Sequence, residues 1–115
     1  MKLKRVRAAV CALIAAGFTS FATAQSSDDD ARLKAYGKRL SSQCTNCHRI
    51  EGSDDRIPSI AGWPTEEFIF VLKAYRDGGR AEPTMAAGAH RLDENQMKAL
   101  ASYFGSLKPS GPRLR

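Results

Sequence analysis

Three stretches of the chain place apolar side chains at helical spacing. Leu33, Tyr36, Gly37 and Leu40 form the first, Phe68, Val71, Leu72 and Tyr75 the second, and Met97, Leu100, Tyr103 and Phe104 the third. A period near 3.6 marks a helix with one buried face. The first helix is expected to start near Ala31, capped by Asp28, Asp29 or Asp30, and to end near Ser42 or run into the segment beyond. Residues 25–30 before it are polar and expected to fray. Thr65 reads as the N-cap of the second helix, with Glu66 and Glu67 in its first turn and Gly78-Gly79 as its stop. Asp93 and Gln96 have the spacing of a capping box for the third, which Gly105 and Pro109 end. Between them lie two loops, 49–64 and 80–92, the latter holding Pro83, Met85 and Gly88. No strand alternation and no internal repeat is visible. The pattern is all-α with long loops, and long loops in a small domain usually carry function.

A fourth apolar stretch, residues 8–18, differs in kind. Lys2, Lys4, Arg5 and Arg7 precede it and Ala22-Thr23-Ala24 follows it. That order predicts a signal peptide over 1–24, cleaved after Ala24, and export to the periplasm. An uncleaved anchor is the rival, but the run is short of the roughly 20 residues a spanning helix needs. Residues 25–108 are then the folded domain, and 109–115, rich in Pro, Gly and Arg, a disordered tail. Cleavage changes the charge. Of 18 basic and 12 acidic residues, four basic ones lie in the leader, so +6 becomes 14 against 12, or +2. The remaining charges are mixed, with no basic stripe and interleaved aromatics, so nucleic acid is not an expected partner. Cleavage also removes Cys11 and leaves Cys44 and Cys47.

Cys44-Thr45-Asn46-Cys47-His48 carries the strongest chemical signal. C-x-x-C-H is the attachment motif of c-type haem. Residues i and i+3 of a helical turn share a face, so two thiols can add to two vinyl groups on one edge of the macrocycle. The neighbouring imidazole can then reach the iron. The pair could instead be a thioredoxin-like dithiol, which wants a βαβ setting, or half of a zinc site, which wants four Cys or His ligands. A domain of about 90 residues is short for a self-sufficient core, and a covalent apolar cofactor would staple it.

The second iron ligand has three candidates. Met85 sits after Pro83 in what reads as an irregular loop, where a side chain can be aimed inward. Met97 falls on the apolar face of the last helix, where a core role explains it, and His90 is the remaining rival. That placement favours Met85. Metal-bound histidines usually donate their other N–H to an acceptor, and the Pro58 carbonyl is the candidate, unless Pro58 only shapes a turn. Trp63, Phe68, Tyr75, Tyr103 and Phe104 read as pocket or core aromatics. Gly37, on an apolar helix face, invites close approach of the last helix through Leu100 and Tyr103.

Taken together these residues resemble the class I cytochrome c family. The resemblance runs from about Tyr36 to Leu107, through Gly37-Lys38-Arg39-Leu40, Cys44-Thr45-Asn46-Cys47-His48 and Ile57-Pro58-Ser59-Ile60-Ala61-Gly62. It continues in Leu72-Lys73-Ala74-Tyr75-Arg76-Asp77-Gly78-Gly79-Arg80, Pro83-Thr84-Met85 and Leu100-Ala101-Ser102-Tyr103-Phe104. It implies three to four helices wrapped around one covalent haem c and its iron. Cys44 and Cys47 would be thioether sites, His48 the proximal and Met85 the distal ligand, and Pro58 the acceptor for His48. It also implies that the first and last helices cross near Gly37 and Tyr103. The chain looks most like short periplasmic monohaem carriers, and is similar to the cytochrome subunit of flavocytochrome c sulfide dehydrogenase. Trp63 and Arg49 depart from the pattern, where a polar residue and Gly are common. The expected function is single-electron transfer between redox proteins, a flavoprotein dehydrogenase or a terminal oxidase among them. No catalytic residue, small-molecule substrate or mature membrane span is expected. The alternatives are a dehydrogenase subunit and a gas-binding or peroxidatic haem protein.

Overall fold

A computed structural model describes residues 21–51 and 56–109, and the side chains of all of these except 21–24. The described residues form five helices and no strand: α1 (Phe21–Leu40), α2 (Ser42–Thr45), α3 (Thr65–Arg76), α4 (Pro83–His90) and α5 (Glu94–Gly105). The all-α expectation holds. The leader lies outside the described residues except for 21–24, and so does the tail beyond Pro109. Among the described residues, no helix is long and apolar enough to cross a membrane.

α5 is the spine. Its capping box forms as the sequence predicts: Gln96 N–H donates to Asp93 Oδ1 at 2.8 Å, and Asp93 N–H donates to Gln96 Oε1 at 3.0 Å. The two bonds satisfy donors that a helix start otherwise leaves open. Met97, Leu100, Ala101 and Phe104 then point into the core, joined there by Ile60, Phe68, Leu72, Ala89 and Leu92. α1 crosses α5 at Gly37. A Cβ on Gly37 would stand 1.9 Å from the Ala99 carbonyl oxygen and 2.9 Å from Tyr103 Cβ. The expected partners were Leu100 and Tyr103; the contact is with Ala99 and Tyr103, because Leu100 turns fully into the core.

Three local expectations need correction. α1 does not start near Ala31 but runs from Phe21 straight through residues 25–30, which are helical and not frayed. An aspartate caps a helix only where no helical turn precedes it; with Phe21–Ala24 already helical, Asp28, Asp29 and Asp30 are interior. Thr65 is not the N-cap of α3. Pro64 holds that place with an extended ψ of 135°, its carbonyl taking Phe68 N–H at 3.0 Å. The 80–92 segment is not a loop, because it contains α4. Pro83 supplies a helix-ready φ at the first position, and the Glu82 side chain caps it by accepting Met85 N–H at 2.6 Å.

α3 and α5 are tied at the base of this segment. Glu94, in the first turn of α5, meets Lys73 Nζ at 2.7 Å and Arg76 Nη1 at 3.1 Å. Charge-assisted bonds from Lys73, then from Arg76, hold the Glu94 carboxyl below its ordinary range.

Candidate functional site

The cysteine motif begins where α1 ends. Ser41 makes the junction: its Oγ donates to Lys38 O at 2.8 Å, covering a carbonyl at the end of α1. Its own carbonyl accepts Cys44 N–H and Thr45 N–H, each at 2.9 Å, which starts the turn of α2. The Cys44 carbonyl in turn accepts Cys47 N–H at 3.1 Å and His48 N–H at 2.8 Å. Cys44 to His48 is therefore one helix-like turn, with both sulfurs carried at i and i+3. Cys44 is half-buried against the core and Cys47 is exposed; both are free thiols. Burial pushes the Cys44 thiol up to about 11, because a thiolate is poorly solvated there.

His48 is fixed from across the next loop. Its Nδ1 lies 2.7 Å from the Pro58 carbonyl oxygen. A carbonyl only accepts, so Nδ1 carries a proton, and Nε2 is the nitrogen left to meet a metal. That tautomer is the one a metal-binding imidazole needs.

Met85 lies on the first turn of α4, half-buried and packed against the same core cluster as Cys44. It is near His48. Met97 is fully buried within the core and His90 is exposed at the end of α4. The donor set fits a covalently attached haem: two thiols on one turn, an imidazole with a free Nε2, and a thioether at the edge of the apolar cluster. It does not fit the other readings of the cysteines. Among the described residues there is neither a group of three or more His, Cys, Asp or Glu that could hold a metal ion nor a strand to provide a βαβ setting. A groove of about 650 Å³ between α1, α3 and α5 is lined by Leu33, Ile69 and Ser102 among others, and by none of these site residues.

Sequence reasoning gave Trp63 no role beyond packing. Its indole N–H donates to the Ser59 carbonyl at 3.2 Å, one peptide from the carbonyl that holds His48. The only hint in the sequence was its departure from the common polar residue.

Comparison with known proteins bears on the same residues. The family model described as cytochrome c matches residues 34–108. The chain is 28% identical over 113 residues to cytochrome c-553 of Nitratidesulfovibrio vulgaris, covering 93% of this chain and 100% of that one. It is 32% identical over 75 residues to the cytochrome subunit of sulfide dehydrogenase of Chlorobaculum tepidum, covering 64% and 68%. It is 35% identical over 71 residues to the thiosulfate dehydrogenase electron acceptor of Thiomonas intermedia, covering 59% of this chain. The chain spans only 33% of the length of that last protein.

Proposed function

This chain belongs to the cytochrome c family, whose cofactor is covalent haem c with its iron, and from that premise we propose a periplasmic carrier of single electrons in which His48 and Met85 would hold the iron. Cys44 and Cys47 would hold the haem through thioethers, which would keep it attached through every turnover. When bound, the haem supplies one Fe(III)/Fe(II) couple. The chain's residues do the rest. His48 presents Nε2 while Nδ1–H is held by Pro58. Met85 supplies a thioether, which raises the potential relative to a second imidazole. The core cluster packs against Met85 and Cys44. No general base or nucleophile is needed, since no bond of a substrate is made or broken.

The observation that carries this reading is the His48 Nδ1–Pro58 contact of 2.7 Å beside a helix-like C-x-x-C turn. A ring fixed through Nδ1 is oriented so that Nε2 can be offered to a metal. Met85 is favoured over Met97 by its place: a fully buried methionine in the middle of the core serves packing, and a half-buried one at the core's edge can turn toward an iron.

Two relatives bear names of dehydrogenase partners, an electron acceptor and a cytochrome subunit. Brought to this chain, they favour a dehydrogenase protein as the electron donor. Size-exclusion of the exported protein with such a donor distinguishes a fixed subunit, which co-elutes, from a diffusing carrier.

The test of the central reading is a visible spectrum of the exported protein, oxidised and reduced, with and without carbon monoxide. Sharp reduced c-type bands, a weak long-wavelength Met–iron band when oxidised and no response to carbon monoxide are expected. Met85→Ala should abolish the Met–iron band and admit carbon monoxide; Met97→Leu should do neither. Absence of haem bands from a host that attaches c-type haem returns Cys44 and Cys47 to thiol chemistry.

A further inference from the structure

The loop that bears the Pro58 carbonyl has little secondary structure of its own, yet its carbonyl oxygen lies at 2.7 Å from His48 Nδ1, hydrogen-bond distance. What holds it lies at its other end. Ser59, Ile60 and Ala61 are buried. Gly62 N–H donates to Phe104 O at 2.8 Å, which pins the loop to the end of α5. Gly62 has a φ of +71°, a region that favours glycine. A Cβ there would also stand 2.6 Å from Pro109 Cγ, so Pro109, the last described residue, closes over the loop from the far side.

Trp63 links that anchor back to Pro58. Its ring meets Phe68 edge-to-face at 6.5 Å, and Phe68 stacks on Phe104 at 5.7 Å. The ring is thus seated on the α3–α5 core. Its N–H reaches back four residues to the Ser59 carbonyl at 3.2 Å. Peptide groups are planar, so the Pro58 and Ser59 carbonyls are related only by the two dihedrals of Ser59. Holding the second carbonyl restrains the first.

We propose that Trp63 is a positioning residue for the haem iron: through Ser59 it fixes the Pro58 carbonyl against His48 Nδ1, and so sets how strongly His48 donates to the metal. This rests on His48 being the proximal ligand. A firmly held acceptor raises the basicity of a ligating imidazole, and a more basic ligand favours Fe(III) over Fe(II). Trp63 therefore keeps the potential below the value the same ligands would give with a slack loop.

The test compares the haem-loaded wild type with Trp63→Phe, which keeps a six-membered ring to face Phe68 and removes the N–H together with the five-membered ring that bears it, and with Phe68→Leu, which loosens the ring contact and keeps the N–H. Trp63→Phe should raise the Fe(II)/Fe(III) ratio at fixed ambient potential about threefold, or about 28 mV at 59 mV per tenfold for one electron. It should also speed solvent exchange of the His48 Nδ1 proton, seen by NMR of the reduced protein. Phe68→Leu should lower stability with a smaller shift in potential. A Trp63→Phe protein with wild-type potential and wild-type exchange overturns the proposal. If that variant does not accumulate, the wild type decides alone. On titration with denaturant, the Trp63 indole and His48 Nδ1 protons should lose protection together; an indole proton that exchanges freely while the His48 proton stays protected also overturns it. A wild-type chain whose mass lacks covalent haem fails the functional reading instead, before any variant is compared.

Discussion

Replacing Gly37 with alanine tests the helix crossing on which the site is built. In an exposed helix this change stabilises by about 1 kcal/mol, because glycine is the poorer helix former. Here the new Cβ would lie 1.9 Å from Ala99 O, 2.5 Å from Ala99 C and 2.9 Å from Tyr103 Cβ. Non-bonded heavy atoms settle at about 3.5–4.0 Å, so the two backbones must part by about 1.5 Å. The obstacle is a backbone carbonyl within α5, which cannot rotate away as a long side chain would. Overpacking costs typically about 1–3 kcal/mol. Taking the upper end and subtracting the propensity gain leaves a net loss of about 2 kcal/mol. For a domain of this size that is a fall in Tm of about 8–16 °C. The assay is thermal unfolding of the haem-loaded protein, with Gly88→Ala as the internal control. Gly88 lies in α4 with nothing within 4 Å of its would-be Cβ, so that variant should gain up to about 1 kcal/mol. Equal or greater stability of Gly37→Ala would refute the close crossing and leave the placement of α1 on α5 without its main support.

Three further outcomes are expected. Glu82→Ala removes the acceptor for Met85 N–H and should cost about 1 kcal/mol, read as faster hydrogen exchange at Met85 and a Met–iron band lost at lower denaturant. Glu94→Gln should lower stability in urea at neutral pH. Because bonds from Lys73 and Arg76 depress the Glu94 carboxyl, its contribution is present above the unfolded value, about 4.3, and is lost as pH falls through the folded one, so wild type and variant should converge in acid. In the haem-free chain Cys47 should alkylate well before Cys44. Burial pushes the Cys44 thiol up to about 11, so little of the reactive thiolate is present at pH 8, whereas Cys47 is exposed; equal labelling rates in the folded chain would contradict the burial of Cys44.

What was legible in the sequence follows the range of the interactions. α5 was readable because its signals are local: Asp93 and Gln96 bond each other three residues apart, and the apolar stripe repeats within four. The cysteine motif was readable for the same reason, its chemistry lying within five consecutive residues. Gly37 could be flagged as a close-approach point, but the choice of Ala99 over Leu100 depends on the rotation of a helix 60 residues away. α1 was misread at its start because Asp28–Asp29–Asp30 is a cap signal only if the chain upstream is not helical, and that condition is not local. The Trp63 to Ser59 bond left no sequence signal beyond an unusual residue type, since a loop's hydrogen bonds follow from dihedrals that periodicity does not encode.

The misreading of α4 has the largest consequence for function. Pro83 and Gly88 look like breakers, but a proline at the first helical position forfeits no hydrogen bond, and a glycine costs only about 1 kcal/mol. With Glu82 capping and Ala89 buried against the core, the segment is a short helix whose two ends are held. Met85 is then not a side chain on a loop free to be aimed, as the sequence suggested. Its backbone N–H is bonded to Glu82 and its helix is braced on α3. The Glu94 pairs with Lys73 and Arg76 close the chain on either side of it. If Met85 is the ligand proposed above, its backbone starts from a fixed position, so little of the main chain would have to change as the metal gains or loses an electron. That rigidity would suit a carrier more than a haem that must open its sixth position to a substrate, and it comes from the same Glu82 cap that starts α4.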